Sequence, residues 1–335
     1  MPKSREWHLV ARPDGWPVPE DFALVETEVP EPGPGQVLVR NLYLSVDPYM
    51  RGRMGNRKSY ADGFALGEPM TGRAIGQVVA SRADGLEAGD HVRHMLGWRE
   101  YALVDAAEAV VVDPEAAPLS AYLGVLGMPG LTAYAGVLRI AELAAGETAF
   151  VSGAAGAVGS QAGQIARLKG AGRVIGSAGS DEKVALLTGE YGFDAAFNYK
   201  NGPVAEQLAA AAPEGVDVYF DNVGGEHLEA AISVMRQNGR IAMCGAISSY
   251  NATEPPPGPR NLAMMIGSRL TLRGYLVGDH DDLRPRFLEE AGGWLREGRL
   301  RHHETVLTGI ERNVDAFLGM LRGENTGKML VALPE

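Results

Sequence analysis

The feature that most constrains this chain is an alternation of apolar runs and helical stretches that begins at Thr148. Candidate strands are Thr148–Gly153, Arg173–Ser177, Ala195–Tyr199, Val216–Asp221, Arg240–Gly245 and Leu270–Val277, with helical patterns at Gly159–Lys169, Asp181–Tyr191 and His227–Gln237. Parallel strands covered on both faces read as near-continuous apolar runs, as Val216-Asp-Val-Tyr-Phe220 largely does. Six such runs separated by crossover helices predict an α/β fold with a doubly wound, mostly parallel sheet.

The chain ahead of this region has a different rhythm. Phe22–Val29, Gln36–Arg40, Ala74–Val79, Asp90–Met95 and Ala109–Val112 are short runs bounded by Gly, Pro or Asp. They predict a barrel-like or partly open β domain. Behind the sixth run, one amphipathic helix is marked by Leu283, Phe287, Ala291, Trp294 and Leu295. A second is marked by Ile310, Val314, Phe317, Leu318 and Leu321, and Lys328–Leu333 reads as a closing strand. A length of 335 residues suits two domains, each large enough for its own core.

Composition narrows the partners. Lys and Arg number 31 against 42 Asp and Glu, a formal net charge of −11, which disfavours sequence-independent binding to nucleic acid or anionic lipid. No signal-peptide run and no membrane-length apolar stretch is present, so a cytoplasmic protein is expected. The single cysteine, Cys244, cannot form an intrachain disulfide or a multi-cysteine zinc site. His91 and His94 fall on opposite faces of a strand, and no metal site is expected.

The first strand of the alternation runs into Ala154-Ala-Gly-Ala-Val-Gly159 and then a helix. Glycines at 153, 156 and 159 allow a tight turn and a close backbone approach to a pyrophosphate at the helix N-terminus. Taken alone, the same spacing would also serve a small-residue packing turn; the six-strand rhythm favours a dinucleotide. An NAD site places an acid at the end of the second strand, whereas here that end reads Gly176-Ser-Ala-Gly-Ser180. Asp181 and Glu182 suit the start of the next helix, and Lys183, one turn in, is read as reaching a 2′-phosphate, with a solvated surface lysine as its alternative. NADP(H) is therefore the expected cofactor.

Eight blocks, in order along almost the whole chain, resemble the zinc-independent medium-chain dehydrogenase/reductases. The resemblance is closest to the leukotriene B4 12-hydroxydehydrogenase/prostaglandin reductase and alkenal double-bond reductase group, with its curcumin-reductase-like members. The first four blocks are Ser45-Val-Asp-Pro-Tyr-Met-Arg51, Gly127-Met-Pro-Gly-Leu-Thr-Ala-Tyr134, Ala154–Gly159 and Ala178-Gly-Ser-Asp-Glu-Lys183. Phe197-Asn-Tyr-Lys200, Phe220-Asp-Asn-Val-Gly-Gly225, Cys244-Gly-Ala-Ile-Ser-Ser-Tyr-Asn251 and Glu324-Asn-Thr-Gly-Lys328 follow.

The resemblance implies a GroES-like β-rich domain, 1–122 with 298–335, and a Rossmann doubly wound parallel-sheet domain, 123–297. It implies a cofactor cradle of Gly153, Ala154, Ala155, Gly156, Ala157, Val158 and Gly159. Gly179, Lys183 and Tyr199 would take the adenosine 2′-phosphate side, and Asn222 the crevice. Cys244, Gly245, Ala246, Ile247, Ser248, Ser249, Tyr250, Tyr275, Leu276, Val277 and Asn325 would flank the nicotinamide half, with Met128 and Thr132 close to the cofactor. A homodimer is also implied. Tyr275 stands where a Phe is frequent in the family, and the glycine-rich turn begins with Gly153.

The implied reaction is NADPH-dependent reduction of the C=C bond of an α,β-unsaturated aldehyde or ketone. Hydride added to the β-carbon leaves an enolate oxygen that needs a hydrogen-bond donor. Tyr250, just after the fifth strand, is the first candidate, shared with a cofactor ribose hydroxyl; its other reading is an aromatic wall of the substrate pocket. Tyr49 is the second, with a core tyrosine after Pro48 as its alternative. A quinone reductase, an alcohol dehydrogenase on the same scaffold and a non-catalytic NADPH-binding sensor are the competing functions.

Overall fold

Val216–Asp221 has five of its six residues buried, as expected of a strand covered on both faces. It lies inside a six-stranded sheet whose members we number along the chain. They are β1 (Thr148–Val151), β2 (Arg173–Ala178), β3 (Ala195–Asn198), β4 (Val216–Asp221), β5 (Met235–Met243) and β6 (Thr271–Gly274). Their spatial order is β3-β2-β1-β4-β5-β6, and every pairing is parallel. Strand order reverses between β1 and β4, where ligands bind at the carboxyl ends in sheets of this kind.

This computed structural model describes residues 3–55 and 60–334. The chain divides into two units, Met1–Leu123 with Glu304–Glu335, and Gly124–His303. The six-stranded sheet belongs to the second. Residues 298–303, read from sequence with the N-terminal domain, cluster with this second unit. One side of its core joins Phe150, Phe197, Val204, Leu208, Tyr219, Leu228 and Ile241. Phe150 stacks on Tyr219 at 4.9 Å between ring centroids.

Two elements of the second unit correct the sequence reading. The helix expected at His227–Gln237 spans Gly225–Val234, and Met235 already pairs with Val216 as β5 begins. Nothing between Ser233 and Gln237 is a helix breaker, so the apolar pattern continued through a boundary set by sheet pairing. The sixth strand is shorter than expected, Thr271–Gly274, and all four of its residues are exposed.

The first unit is β-rich. Gln36–Ser45 is its central strand, antiparallel to Ala74–Ser81, to Tyr101–Asp105 and to Lys328–Ala332. Leu330 pairs with Ser45, so the end of the chain is hydrogen-bonded into the sheet formed near its beginning. Glu304–Thr308 then pairs parallel with Lys328–Ala332. The strands Lys3–Leu9, Tyr101–Asp105 and Glu304–Thr308 were absent from the sequence reading. Trp98 is fully buried in this unit, stacked on Phe22 and edge-on to Phe317.

Candidate active site

At the end of β1 the backbone turns through Gly153, at φ +58°, and enters the helix Gly159–Leu168. A Cβ on Gly159 would lie 2.3 Å from the Gly153 carbonyl oxygen and 2.9 Å from the Ala154 Cα. Only glycine fits a turn wound this tightly. No side chain among the described residues caps that helix at Val158, so its N-terminal end is available for an anion. Gly153, Ala154, Ala155, Gly156, Ala157, Val158 and Gly159 all lie in this turn or at the helix start, which fits the pyrophosphate of a dinucleotide.

The neighbouring turn, after β4, is held by a buried network that sequence reasoning missed. Asp221 has no solvent exposure. Its Oδ1 accepts from the Ser152 hydroxyl (3.1 Å) and from the backbone N–H groups of Val223 (2.9 Å) and Gly224 (2.8 Å). The Tyr219 hydroxyl lies 2.7 Å from the same oxygen, and burial with the Asp221 charge holds that phenol well above its usual range. The Asn222 carboxamide donates to the Ser152 carbonyl at 2.7 Å. Ser152 and Asp221 thereby tie the ends of β1 and β4 together and fix Asn222 at the crevice. The available signal was an acid at the end of an otherwise apolar run.

Beyond β2, Ser180 caps the helix Asp181–Gly189 by accepting from the Lys183 N–H at 3.3 Å. Asp181 accepts from the side chains of Asn198 (2.8 Å) and Asn201 (3.0 Å), which pins the turn after β3. That turn presents Tyr199 and Lys200. Burial lowers the Lys183 pKa, and the Lys200 charge lowers it further. Two ammonium groups close enough to repel each other suit a dianion placed beside them. A Cβ on Gly179 would come 3.0 Å from the Tyr199 hydroxyl, and the Tyr199 ring meets His227 edge-on at 5.3 Å. Gly179, Lys183 and Tyr199 are thus brought together, with Lys200 as the residue that sequence reasoning left out.

After β5 the chain folds back on the Asp221 turn. Cys244 and Gly245 donate to the Asp221 carbonyl, and the Ser248 hydroxyl donates to the Val223 carbonyl at 2.6 Å. Ala246, Ile247 and Ser249 complete this loop, in which Ile247–Ser249 is a single 3-10 turn. The Tyr250 hydroxyl accepts the Ala246 N–H at 3.5 Å, which folds its ring over its own loop. Burial pushes the Cys244 thiol up to about 12 against the pull of the Tyr275 hydroxyl, so it is a packing group rather than a reactive thiolate. Tyr275 donates to the Thr132 carbonyl at 2.8 Å, and Thr132 donates to the Met128 carbonyl at 2.7 Å. Tyr275, Thr132, Met128 and Cys244 therefore form one group, with Leu276 exposed and Val277 half-buried. The run Pro255–Gly258 is exposed and Pro259 half-buried, and the following Arg260 and Asn261 bond to Glu229.

Asn325 and Tyr49 belong to the first unit. Asn325 donates to the Gly327 carbonyl at 2.7 Å, bracing the turn before Lys328. Tyr49 opens the short helix Tyr49–Arg53, and its hydroxyl is buried with no hydrogen-bond partner among the described residues. Burial, then the Asp47 charge, pushes this phenol up to about 12, so it holds its proton at any working pH. Among the described residues no three His, Cys, Asp or Glu side chains are grouped to hold a metal ion.

A glycine turn at the strand-order reversal, with a lysine pair at the neighbouring strand ends, defines a dinucleotide-binding α/β protein with a separate β-rich unit. Residues 5–112 match the family described as the N-terminal domain of oxidoreductase, and residues 157–291 match zinc-binding dehydrogenase. The NADPH-dependent curcumin reductase of Escherichia coli is 41% identical over 334 residues, 98% of this chain and 96% of that protein. The NADP(+)-dependent 2-alkenal reductase of Nicotiana tabacum is 42% identical over 327 residues, covering 95% and 94%. CurA from Vibrio vulnificus, crystallised with NADPH, superposes with a TM-score of 0.94 at 40% identity, covering 99% of both chains. The chain belongs to the zinc-independent medium-chain dehydrogenase/reductase family.

Proposed function

We propose that this protein is an NADPH-dependent reductase of the C=C bond in α,β-unsaturated aldehydes and ketones. Relatives named for reducing curcumin and 2-alkenals support the substrate class, and a close structural neighbour crystallised with NADPH supports the cofactor. The observation that carries the cofactor choice is at the second strand end. Asp181, the first acid after that strand, accepts from Asn198 and Asn201. The Lys183 and Lys200 ammonium groups lie close enough for the Lys200 charge to lower the Lys183 pKa, which suits a 2′-phosphate beside them.

NADPH held at this site would supply the hydride for the β-carbon of the substrate. The chain supplies the cradle at Gly153–Gly159, the fixed crevice at Asn222 and a hydrogen bond to the carbonyl oxygen on which charge builds. Tyr250 and Tyr49 are the two donors, and their environments differ. Tyr250 already accepts a backbone N–H from its own loop, whereas Tyr49 is a protonated, buried hydroxyl lacking a partner among the described residues. Accepting that N–H does not use the Tyr250 proton, so both hydroxyls stand as proposed donors; Tyr49, whose hydroxyl lacks a partner among the described residues, is our first choice.

The test is NADPH oxidation with a medium-chain 2-alkenal, an enone, a quinone and no acceptor, repeated with NADH. Turnover with alkenal and enone, faster with NADPH and giving saturated carbonyl products, is expected. Preference for the quinone would make it a quinone reductase. NADPH binding without oxidation of any acceptor would leave a sensor.

No helix among the described residues is long and apolar enough to cross a membrane; the lone thiol, Cys244, fits the cytoplasmic location we propose. A homodimer is supported by β6, an exposed edge strand with open pairing groups, and by the exposed Ile266 and Met264 before it. Sedimentation at micromolar concentration should give twice the chain mass; a monomer would remove the dimer from this account.

A further inference from the structure

The first and the last of the eight sequence blocks meet in the first unit. Lys328 is 3% exposed, and Asp47 is likewise 3% exposed. The Lys328 ammonium donates to the Val46 carbonyl at 2.6 Å and to the Met329 carbonyl at 2.8 Å, and pairs with Asp47 Oδ1 at 3.2 Å. Three N–H bonds meet three acceptors, so the cation is fully satisfied. The other Asp47 oxygen accepts from the Ser45 hydroxyl at 2.5 Å. The segment Ser45–Asp47 is thereby clamped to the last strand of the sheet. Pro48 follows, and Tyr49 is the first helical residue after it.

A buried lysine is a costly way to hold a turn, because removing a charge from water is repaid only by complete pairing. Here the pairing is complete at the ion pair, yet two residues further on a buried phenol has no partner among the described residues. Native structures rarely leave such a group idle; Trp98 Nε1 and Ser177 Oγ share this state among the described residues, and Tyr49 is the one two residues from Asp47. The rigid, satisfied part and the unsatisfied group belong to one short segment, which is the arrangement required of a preorganised donor.

We infer that Lys328, through its ion pair with Asp47, is a positioning residue that holds the Tyr49 hydroxyl in place for turnover. This rests on the reading of Tyr49 as the hydrogen-bond donor to the substrate oxygen. A displacement of about 1 Å at a reacting group can cost about a hundredfold in rate. Loss of the clamp should therefore appear in kcat more than in NADPH binding, whose glycine cradle and lysine pair belong to the other unit.

The experiment is a double-mutant cycle on enone reduction. Removing only Lys328 would strand the Asp47 charge, so the clamp is removed as Lys328→Met with Asp47→Asn, which leaves no buried charge. Thermal melting and NADPH fluorescence titration check that this variant is folded and binds cofactor. The expected result is a loss in kcat of about 10- to 100-fold, with KM changed less. In the Tyr49→Phe background, the same pair of substitutions should cost less than about twofold, because the group they position is already gone. Full multiplication of the two effects, or an unchanged kcat in the clamp variant, would overturn the inference. A variant too unstable to bind NADPH is replaced by Lys328→Gln with Asp47→Asn, which also leaves no buried charge and keeps a donor for the backbone carbonyls, and the same criterion applies. A Tyr49→Phe enzyme with undiminished kcat would instead remove Tyr49 from the reaction, and the inference with it.

Discussion

The turn around Asp221 and the turn around Asp47 use a buried carboxylate in opposite ways. At Asp221, one oxygen gathers two backbone N–H groups and two hydroxyls, and the result is a fixed backbone at the strand ends. At Asp47 the carboxylate serves a buried lysine, and the neighbouring Tyr49 hydroxyl is left without a partner among the described residues. The first arrangement makes a rigid place to bind from one carboxylate oxygen, the other, Oδ2, having no partner among the described residues. The second holds one polar group in reserve. In this account, binding and chemistry are separated in that way.

The sharpest way to break the comparison is to remove the reserved group. Tyr49→Phe should lower kcat for enone reduction by about 10²–10³-fold, the cost of deleting one preorganised donor, with NADPH affinity unchanged. Tyr250→Phe should change kcat far less; the reverse order in steady-state kinetics would exchange the roles of the two tyrosines.

The binding side is tested at its charges and then at its turn. Lys183→Ala should weaken NADPH by about 10- to 150-fold while NADH affinity barely moves, measured by fluorescence titration. Equal losses for both nucleotides would refute the 2′-phosphate assignment. Gly159→Ala places a Cβ 2.3 Å from the Gly153 oxygen. The strain should cost about 1–3 kcal/mol in stability. NADPH affinity should fall with it, since the cradle must open.

His94 provides the control for a buried polar group that is fully engaged. Its Nε2–H donates to Asn41 Oδ1 at 2.9 Å and its Nδ1 accepts from Leu96 N–H at 3.1 Å. Burial first, and the Arg99 charge second, lower its pKa from 6.5 to about 3. Below pH 6.5 the unfolded chain binds a proton that the native chain refuses, so this contribution to stability is lost as pH falls towards 3. Each pH unit in that window should cost about 1.4 kcal/mol. Denaturation midpoints of wild type and His94→Gln, followed from pH 7 to about 4, should converge as acid is added. Parallel curves would mean that His94 titrates normally.

The parallel sheet was legible because strands covered on both faces must be apolar, and Val216–Asp221 was read with its observed bounds. The glycine turn was legible because a close approach of backbone to backbone excludes every side chain. What escaped depends on partners far apart in sequence. Ser152 and Asp221 are separated by 69 residues, and Lys328 and Val46 by 282, and no local periodicity marks either meeting. Lys200 escaped because an exposed lysine after a strand looks like any solvated one. The helix end at Val234 escaped because pairing with β4, rather than a glycine or proline, decides it.

The central claim is hydride delivery to the β-carbon of an enone. NADPH carrying deuterium at nicotinamide C4, in the transferred position, should be turned over with an unlabelled enone and the product analysed by mass spectrometry and NMR. The account predicts a saturated ketone with one deuterium on the β-carbon. Deuterium on the carbonyl carbon of an unsaturated alcohol would contradict it and make the protein an alcohol dehydrogenase.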